Sequence, residues 1–170
     1  MKLNQISGAL LGAVIVGGFL LTKSKPVWSA PTEAFPFLAT FRATENAHGF
    51  PQNLLVRIAW QESRFRPDII NGETVSSAGA VGIMQIVPRW HPDVNPYDPI
   101  ESIEYAGEYL AGLRDRFGGD LQLALAAYNW GPGNVSRALA TDLAFTEYPA
   151  ETRSYIVSVS RDMNLTGRLV

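Results

Sequence analysis

The sequence predicts a mainly α-helical fold with one loop-rich insert that contains a short β-hairpin, and a hydrophobic helix at the N-terminus. Three observations support this class. Beyond residue 31, apolar residues recur at helical spacing through most of the chain. Aspartate and proline stand where helices are expected to begin. Glycine, serine, asparagine and proline are concentrated in one stretch, residues 68–96.

Length and composition limit the function classes. With 170 residues, 46% of them hydrophobic, the chain can bury one core of ordinary size. The net charge is −2 and the charged residues are dispersed, so nucleic acid is not an expected partner. There is no cysteine, and His48 and His91 are the two histidines. No metal or other cofactor is therefore expected, and the chemistry must come from carboxylates, hydroxyls and amides.

Residues 1–30 are predicted to form a hydrophobic segment and a linker, and residues 31–170 the domain that carries the function. Residues 6–22 have no charge, and a proline-rich stretch follows them. A membrane-spanning helix needs roughly 17 to 25 apolar residues, whereas the core of a signal peptide is shorter. We expect an uncleaved membrane anchor, with a cleaved signal peptide as the alternative. Either would bring the domain to a membrane or across it.

Five helices are predicted in the domain. The first stops at Gly49, and Pro51 is expected to open the second. After the insert, Asp98 is the expected N-cap of the third helix, with Glu101 completing a capping box. Asp120 is the expected N-cap of the fourth helix. Residues 148–164 are expected to form the last, amphipathic helix.

Glu62 stands at the end of the second predicted helix, because Pro67 disfavours helical geometry at Arg66. The partial negative charge of a helix C-terminus and the apolar residues one and two turns earlier both disfavour ionisation, so we expect a raised pKa for Glu62. A carboxyl with a pKa of roughly 6 to 7 suits general-acid chemistry near neutral pH. The alternative is a solvated glutamate at a frayed helix end.

Four motifs follow one another along the chain. They are "QESRFRP" (residues 61–67), "GAVGIMQIVP" (79–88), "AAYNWGPGNV" (126–135) and "YPAETRSYI" (148–156). In this order and spacing they resemble the catalytic domain of the soluble lytic transglycosylases, over residues 36–163. The resemblance implies a goose-lysozyme-like fold and a lyase that cuts peptidoglycan. The interval between Glu62 and Gly82 is longer than is usual in the family, with "IINGETV" as the extra material.

The resemblance implies that Glu62 is the catalytic residue. It would protonate the oxygen of the β-1,4 bond between N-acetylmuramic acid (MurNAc) and N-acetylglucosamine (GlcNAc). It would then act as a base on the muramic C6 hydroxyl, which closes a 1,6-anhydro ring without consuming water. A lysozyme-like hydrolase is the first alternative. It would need a second carboxylate facing Glu62, and the insert offers four: Asp68, Glu73, Asp93 and Asp98. A non-catalytic wall-binding or virion structural protein is the second alternative.

The resemblance also implies a set of supporting residues. Five would bind substrate: Ser63, Gln85, Tyr128, Asn129 and Tyr155. Three would shape the site: Gly82, by letting the backbone approach a sugar, Met84, by packing under the cleft, and Gly131, by ending a helix. Ser63 and Asn129 could equally satisfy backbone groups at helix ends. Glu151 is expected to tie helices together through an arginine. Three further aromatic residues near the proposed cleft could stack on sugar faces, but core packing is the favoured interpretation of each: Trp90, Tyr97 and Trp130.

Peptidoglycan glycan strands are the expected partner, and residues 6–22 are the expected membrane contact. The short chain and its single hydrophobic segment are similar to small wall-opening enzymes of phage particles or of secretion machines. The expected location is the periplasm, in an anchored or a secreted form, with the phage virion as the alternative.

Overall fold

The computed structural model describes residues 28–169. The predicted hydrophobic helix over residues 6–22 lies outside these residues. Within residues 28–169 no helix is both long enough and apolar enough to cross a bilayer.

Helices dominate the described part of the chain, which confirms the mainly α-helical prediction. Over residues 28–169 they follow in this order: a 3-10 helix (Thr32–Phe37), α1 (Leu38–His48), α2 (Leu54–Glu62), α3 (Pro67–Ile70), α4 (Pro99–Arg116), α5 (Leu121–Trp130), α6 (Pro132–Ala140), a 3-10 helix (Phe145–Glu147) and α7 (Ala150–Met163). α1 stops at Gly49 in the left-handed conformation, as predicted. The sequence analysis missed α3 and α6, because it interpreted their prolines and glycines only as loop and turn residues.

The start of α2 is fixed by α1. The helix begins at Leu54 rather than at Pro51, and Asn53 before it has a positive φ of 69° and makes no side-chain cap. The cap comes instead from Glu45, whose carboxylate accepts hydrogen bonds from the N–H groups of Asn53 (2.9 Å) and Leu55 (2.8 Å). Two backbone donors that a helix start leaves unpaired are thus satisfied, and α2 is held in place from its neighbour.

The caps of α4 and α5 are largely as predicted. Asp98 accepts hydrogen bonds from the N–H groups of Ile100 and Glu101, and Asp120 accepts two in the first turn of α5. The predicted capping box is wrong, because the Glu101 carboxylate accepts a hydrogen bond from the N–H of Asn95 at 2.8 Å. Glu101 therefore fastens the end of the insert to α4 instead of closing the helix start.

α5 lies at the centre of the core. Its residues 122–127 are buried on every side of the helix, and the helix packs against α4, α6 and α7. A helix without a polar face is stable only when other elements surround it. This burial fixes the C-terminal end of α5, where Tyr128 and Asn129 lie, against the rest of the fold.

The predicted β-hairpin of the insert is reduced to one antiparallel bridge between Val81 and Ile86. Each residue donates its N–H to the carbonyl of the other at 3.0 Å. The pairing does not extend, because Gly79 has a positive φ of 82° and Pro88 has no N–H to donate. The bridge nevertheless closes the tight turn that contains Gly82 and Gln85.

A buried arginine joins α2 to α7. Arg57 is 4% exposed, and its Nε donates to the carboxylate of Asp162 at 2.9 Å. Its other guanidinium nitrogens donate to Gln61 Oε1 at 3.1 Å and to Ser158 Oγ at 3.2 Å. These partners offset the cost of burying the charge. The network fixes the position of α2 relative to α7.

Candidate active site

Glu62 is the last residue of α2. Beyond Ser63, the chain leaves the helix through Arg64 and Phe65, which both take left-handed conformations (φ 52° and 53°). Arg66 is extended before Pro67, as the proline predicts. The carboxyl therefore lies where a helix anchored in the core meets the insert.

The surrounding protein raises the pKa of Glu62 from 4.5 to about 7. Burial of the carboxyl is the largest cause, since it disfavours the charged form. The nearby hydroxyl of Tyr155 opposes this shift, and the negative charge of Glu151 adds to it. The residue as a whole keeps partial exposure to solvent. The pKa direction predicted from the sequence is confirmed, and its value lets the group both give and take a proton near neutral pH.

Two tyrosine phenols lie close enough to Glu62 for its charge to act on them. Tyr155 is 3% exposed. Its hydroxyl faces Glu62 closely enough to lower the pKa of that carboxyl, although the contact falls outside strict hydrogen-bond geometry. The hydroxyl of Tyr128 donates to the carbonyl of Met84 at 3.0 Å. Burial first, and then the charge of Glu62, raise the pKa of both phenols well above 10. Both therefore stay neutral at physiological pH.

The turn over residues 82–85 forms a second wall of the site. Gly82 has a φ of 78°, and a Cβ there would overlap the carbonyl oxygen of Pro96. The close approach at Gly82 is thus made by the protein's own backbone, not by a sugar as the resemblance implied. Gln85 has a φ of 50°, and its Nε2 donates to the Gly82 carbonyl at 3.1 Å. Met84 is fully buried beneath the turn.

Asn129 precedes the turn at Gly131, which ends α5 with a φ of 93°. The buried hydroxyl of Thr152 in α7 donates to Asn129 Oδ1 at 2.7 Å. This bond orients the side-chain amide, so its nitrogen is the group left to meet a ligand. An amide N–H matches the carbonyl oxygen of an N-acetyl group. Thr152 was not predicted to take part in the site.

Ser63 does not reach the cleft. It is fully buried, and its hydroxyl donates to the carbonyl of Ala59 at 3.0 Å. The same oxygen accepts from the N–H of Phe65 at 3.2 Å. Both bonds terminate α2, so the structure assigns Ser63 the backbone role that the sequence analysis gave as the alternative to substrate binding.

A cleft of about 1000 Å³ runs between the insert, α4 and the end of α5. Gln85, Tyr128 and Asn129 line it, and the charge of Glu62 is close enough to act on Tyr128. The lining also includes five aromatic or imidazole rings that the sequence analysis did not assign to a substrate: Trp90, His91, Tyr105, Tyr109 and Trp130. The sequence does contain one indication of these rings: Tyr105 and Tyr109 are spaced one helical turn apart on α4, which places both on the same helix face.

Two of the four insert carboxylates bond other parts of the protein, and the other two lie outside the cleft lining. Asp68 bonds Arg66 and Thr74, Asp98 caps α4, and Glu73 is exposed. Asp93 lines a separate cavity. None of the four is among the groups that shift the pKa of Glu62. Within residues 28–169 no cluster of acidic and histidine side chains is arranged to hold a metal ion.

Glu151 is the carboxylate that acts on Glu62. It lies in the first turn of α7 and is exposed. Within residues 28–169 it forms no ion pair, so the predicted tie to an arginine is wrong. Its spacing four residues before Tyr155 places both on one helix face, and this pattern could have indicated its position.

The raised pKa of Glu62 has a consequence for stability. Because the pKa is higher in the folded state, ionisation costs folding free energy; the cost is absent below pH 4.5 and complete above about pH 7. We expect Glu62→Gln to unfold with a free energy about 2 kcal/mol larger than the wild type at pH 8, with little difference at pH 4. Urea denaturation at both pH values measures this. Glu73→Gln, which changes an exposed carboxylate of the insert, is the matched control. A Glu62→Gln effect equal at both pH values would contradict the shift.

The fold and the site together define a lysozyme-like helical domain in which a glutamate with a raised pKa ends a helix beside a cleft. The chain belongs to the Transglycosylase SLT domain family, which matches residues 39–149.

Two relatives and one solved structure show the extent of the similarity. The chain is 33% identical over 107 residues to the membrane-bound lytic murein transglycosylase F of Stutzerimonas stutzeri (strain A1501), covering 58% of this chain and 21% of that protein. It is 33% identical over 105 residues to the peptidoglycan transglycosylase gp16 of Escherichia phage T7, covering 56% of this chain and 8% of that protein. The crystal structure of the 70 kDa soluble lytic transglycosylase SLT70 of Escherichia coli superposes with a TM-score of 0.57 and 28% identity, covering 72% of this chain and 22% of that one.

This similarity confirms the predicted lysozyme-like fold class. The matched region spans 21% of the length of transglycosylase F and 8% of the length of gp16.

Proposed function

We propose that the chain is a peptidoglycan lytic transglycosylase that cleaves the β-1,4 bond between MurNAc and GlcNAc and forms 1,6-anhydro-MurNAc. The observation that carries this proposal is a single enclosed carboxyl, Glu62, with a pKa of about 7 and two neutral phenols beside it. None of the four insert carboxylates that a hydrolase could have used is among the groups that shift the pKa of Glu62. Membership of the SLT family supports the substrate class.

In the proposed reaction, Glu62 acts first as an acid. Burial keeps a large share of the carboxyl protonated near neutral pH, so it can donate a proton to the glycosidic oxygen as that bond breaks. The carboxylate left behind is stabilised by the hydroxyl of Tyr155. It then takes the proton of the muramic C6 hydroxyl, whose oxygen bonds to the anomeric carbon and closes the anhydro ring. Glu62 is protonated again and no water is consumed.

Two side chains are proposed to position the sugar. The amide nitrogen of Asn129, oriented by Thr152, donates to the N-acetyl carbonyl oxygen. Gln85 lines the same cleft, on a turn that the Val81–Ile86 bridge closes. Tyr128 holds this turn against α5 through its bond to the Met84 carbonyl.

Product analysis tests the proposal. Purified sacculi are digested and the soluble fragments are weighed by mass spectrometry. We expect muramic termini in the anhydro form. Reducing termini, heavier by one water, would identify a hydrolase instead, and no released fragments would identify a wall-binding or structural protein.

The exposed Glu151 provides a test of the single-carboxyl mechanism. Glu151→Gln removes a charge that raises the pKa of Glu62, so the alkaline limb of the kcat/KM profile should move to lower pH. We expect about a twofold loss of activity at pH 8 and little change at pH 5. Glu73→Gln, which alters an exposed insert carboxylate, is the matched control. A loss of about a hundredfold or more at every pH would instead make Glu151 the second carboxylate of a hydrolase.

We propose that residues 6–22 bring the enzyme to the membrane and that it acts in the periplasm, alone or within a secretion machine. The phage virion is the second setting. By their names, one relative is membrane-bound and another belongs to a phage. Fractionation of the producing cell tests the location. The protein should appear with the membranes if the segment is retained, in the soluble periplasm if it is cleaved, and in purified particles if it is a virion component.

A further inference from the structure

A second cavity, of about 490 Å³, lies between α1, α4 and the end of the insert. Tyr105 lines both this cavity and the cleft, so the two share a wall. Among the described residues that line the second cavity none is Lys or Arg, and four are acidic: Asp93, Glu101, Glu104 and Glu108. We call this site the acidic cavity.

The four carboxylates of the acidic cavity have no cationic partner. Within residues 28–169 none of them forms an ion pair, and only Glu101 accepts a hydrogen bond, from the N–H of Asn95. Glu104 follows Glu101 by three residues and precedes Glu108 by four, so the three share one face of α4. Like charges at this spacing destabilise a helix. A cation bound in the cavity would relieve this repulsion.

An otherwise buried hydroxyl is available in the acidic cavity. Thr44 of α1 lines the cavity and is only 6% exposed. Its methyl group faces Gly107 of α4, which is not part of the lining. In the described part of the chain the hydroxyl has no hydrogen-bond partner, and it is not among the unpaired polar atoms sealed inside the protein. Its oxygen is therefore free to accept a hydrogen bond from a ligand in the cavity.

The negative charge of the acidic cavity reaches the wall that it shares with the cleft. Burial first, and then the charges of Asp93 and Glu108, raise the pKa of the Tyr105 phenol. On the cleft side, the same phenol oxygen lies 2.7 Å from Nδ1 of His91. A cation tethered to a ligand in the cleft would therefore be attracted across Tyr105 into the cavity.

The chemistry of the acidic cavity favours an organic ammonium group over a metal ion. Within residues 28–169 no group of three or more histidine and acidic side chains is arranged to hold a metal, and 490 Å³ is far more space than a single ion fills. An ammonium group has three donors and no acceptor, so carboxylates and a free hydroxyl oxygen are suitable partners for it.

We propose that the acidic cavity binds the free primary amino group of a peptide stem whose glycan strand occupies the cleft, and that it makes the enzyme prefer stems that are not cross-linked at this amine. A stem joined to a sugar in the cleft has the cavity beside it, on the other side of Tyr105. A cross-link converts the amine into an amide, which carries no charge and keeps one donor. The inference rests on the proposed function and adds recognition of the peptide and the residues that provide it.

The binding test uses the Glu62→Gln chain, which holds substrate without cutting it. The probe is a tetrasaccharide of GlcNAc and MurNAc whose stems contain lysine, with the lysine amines either free or acetylated. Isothermal titration at low salt should show about tenfold tighter binding of the free amine, with a gain that shrinks as salt is added. Adding Glu104→Gln together with Glu108→Gln should remove this gain and leave binding of the acetylated probe unchanged. Adding Thr44→Val alone, which removes the hydroxyl and keeps the shape, should remove part of it.

Glu33→Gln together with Glu73→Gln is the matched control. Both are exposed carboxylates that line neither the acidic cavity nor the cleft, and this pair changes the net charge by the same amount. The control should keep the tenfold gain, and circular dichroism confirms folding of each variant.

Three results would overturn the proposal. The free and acetylated probes could bind equally, the control could lose the gain as fully as the cavity variant, or the peptide without its sugar could bind as tightly as the whole probe. The last result would separate the cavity from the glycan strand. If the wild type releases no anhydro product while the preference for the free amine persists, the proposed function fails and the amine site stands.

Discussion

Glu62→Gln is expected to lower the rate of anhydro-product release by about a thousandfold, within the usual range for the loss of general acid–base catalysis. The amide has nearly the same size as the carboxyl, but it can neither donate a proton to the glycosidic oxygen nor remove one from the C6 hydroxyl. Because Glu62 carries both steps in the proposed reaction, no other group of the site replaces it. Release of soluble fragments from purified sacculi measures the rate.

Two controls keep this result interpretable. Glu73→Gln changes an exposed carboxylate of the insert and should leave the rate unchanged. The Glu62→Gln protein should be folded and, at pH 8, more stable than the wild type, since the cost of an enclosed charge is removed. Near wild-type activity in a folded Glu62→Gln protein would show that another residue is the acid.

Gly82→Ala is expected to reduce the free energy of unfolding by about 3 kcal/mol or more. The new Cβ would overlap the Pro96 carbonyl oxygen, which is backbone and cannot rotate away, and the φ of 78° is already unfavourable for alanine. The turn that carries Gln85 would have to shift, so activity should fall as well. Urea denaturation and the sacculus assay measure the two effects.

Gly79→Ala separates the overlap from the backbone strain. Gly79 has a nearly equal φ of 82°, and nothing lies within 4 Å of a Cβ placed there. This variant should lose only about 1 kcal/mol, the cost of a left-handed conformation in a residue other than glycine. Equal losses in the two variants would show that the Pro96 contact does not hold the turn.

The features that the sequence predicted best are those encoded locally. The end of α2 after Glu62 follows from Pro67, and the starts of α4 and α5 follow from Asp98 and Asp120. The direction of the Glu62 pKa shift is predicted from the apolar residues within two turns on its own helix, and burial is the largest cause of the shift.

The features that it missed depend on residues far apart in the chain. Glu45 caps a helix that begins beyond the next loop, and Glu151 of α7 acts on a carboxyl of α2. Thr152 fixes the amide of Asn129 across two helices. Each of these contacts exists only after the two helices that carry its residues have packed together, so neither helical periodicity nor capping rules could reveal it.

Ser63 and Trp90 show a further limit of prediction from the sequence. The residue type at each of these positions is compatible with two different roles, and the sequence does not decide between them. A serine after a catalytic glutamate could face the substrate, and only its two backbone bonds place it inside the helix end. A tryptophan in an insert is usually core, and only its exposed fraction of 68% places it at the surface of the cleft.

The central claim is that the enclosure of a single carboxyl makes Glu62 an acid at neutral pH. The most direct measurement is an NMR titration of the side-chain carboxyl carbons in protein labelled with ¹³C-glutamate, with Glu62→Gln used to assign the resonance. The account predicts a midpoint of about 7 for Glu62. A midpoint near the ordinary value of 4.5 would contradict it, because the group would then be ionised at neutral pH and would hold no proton to donate.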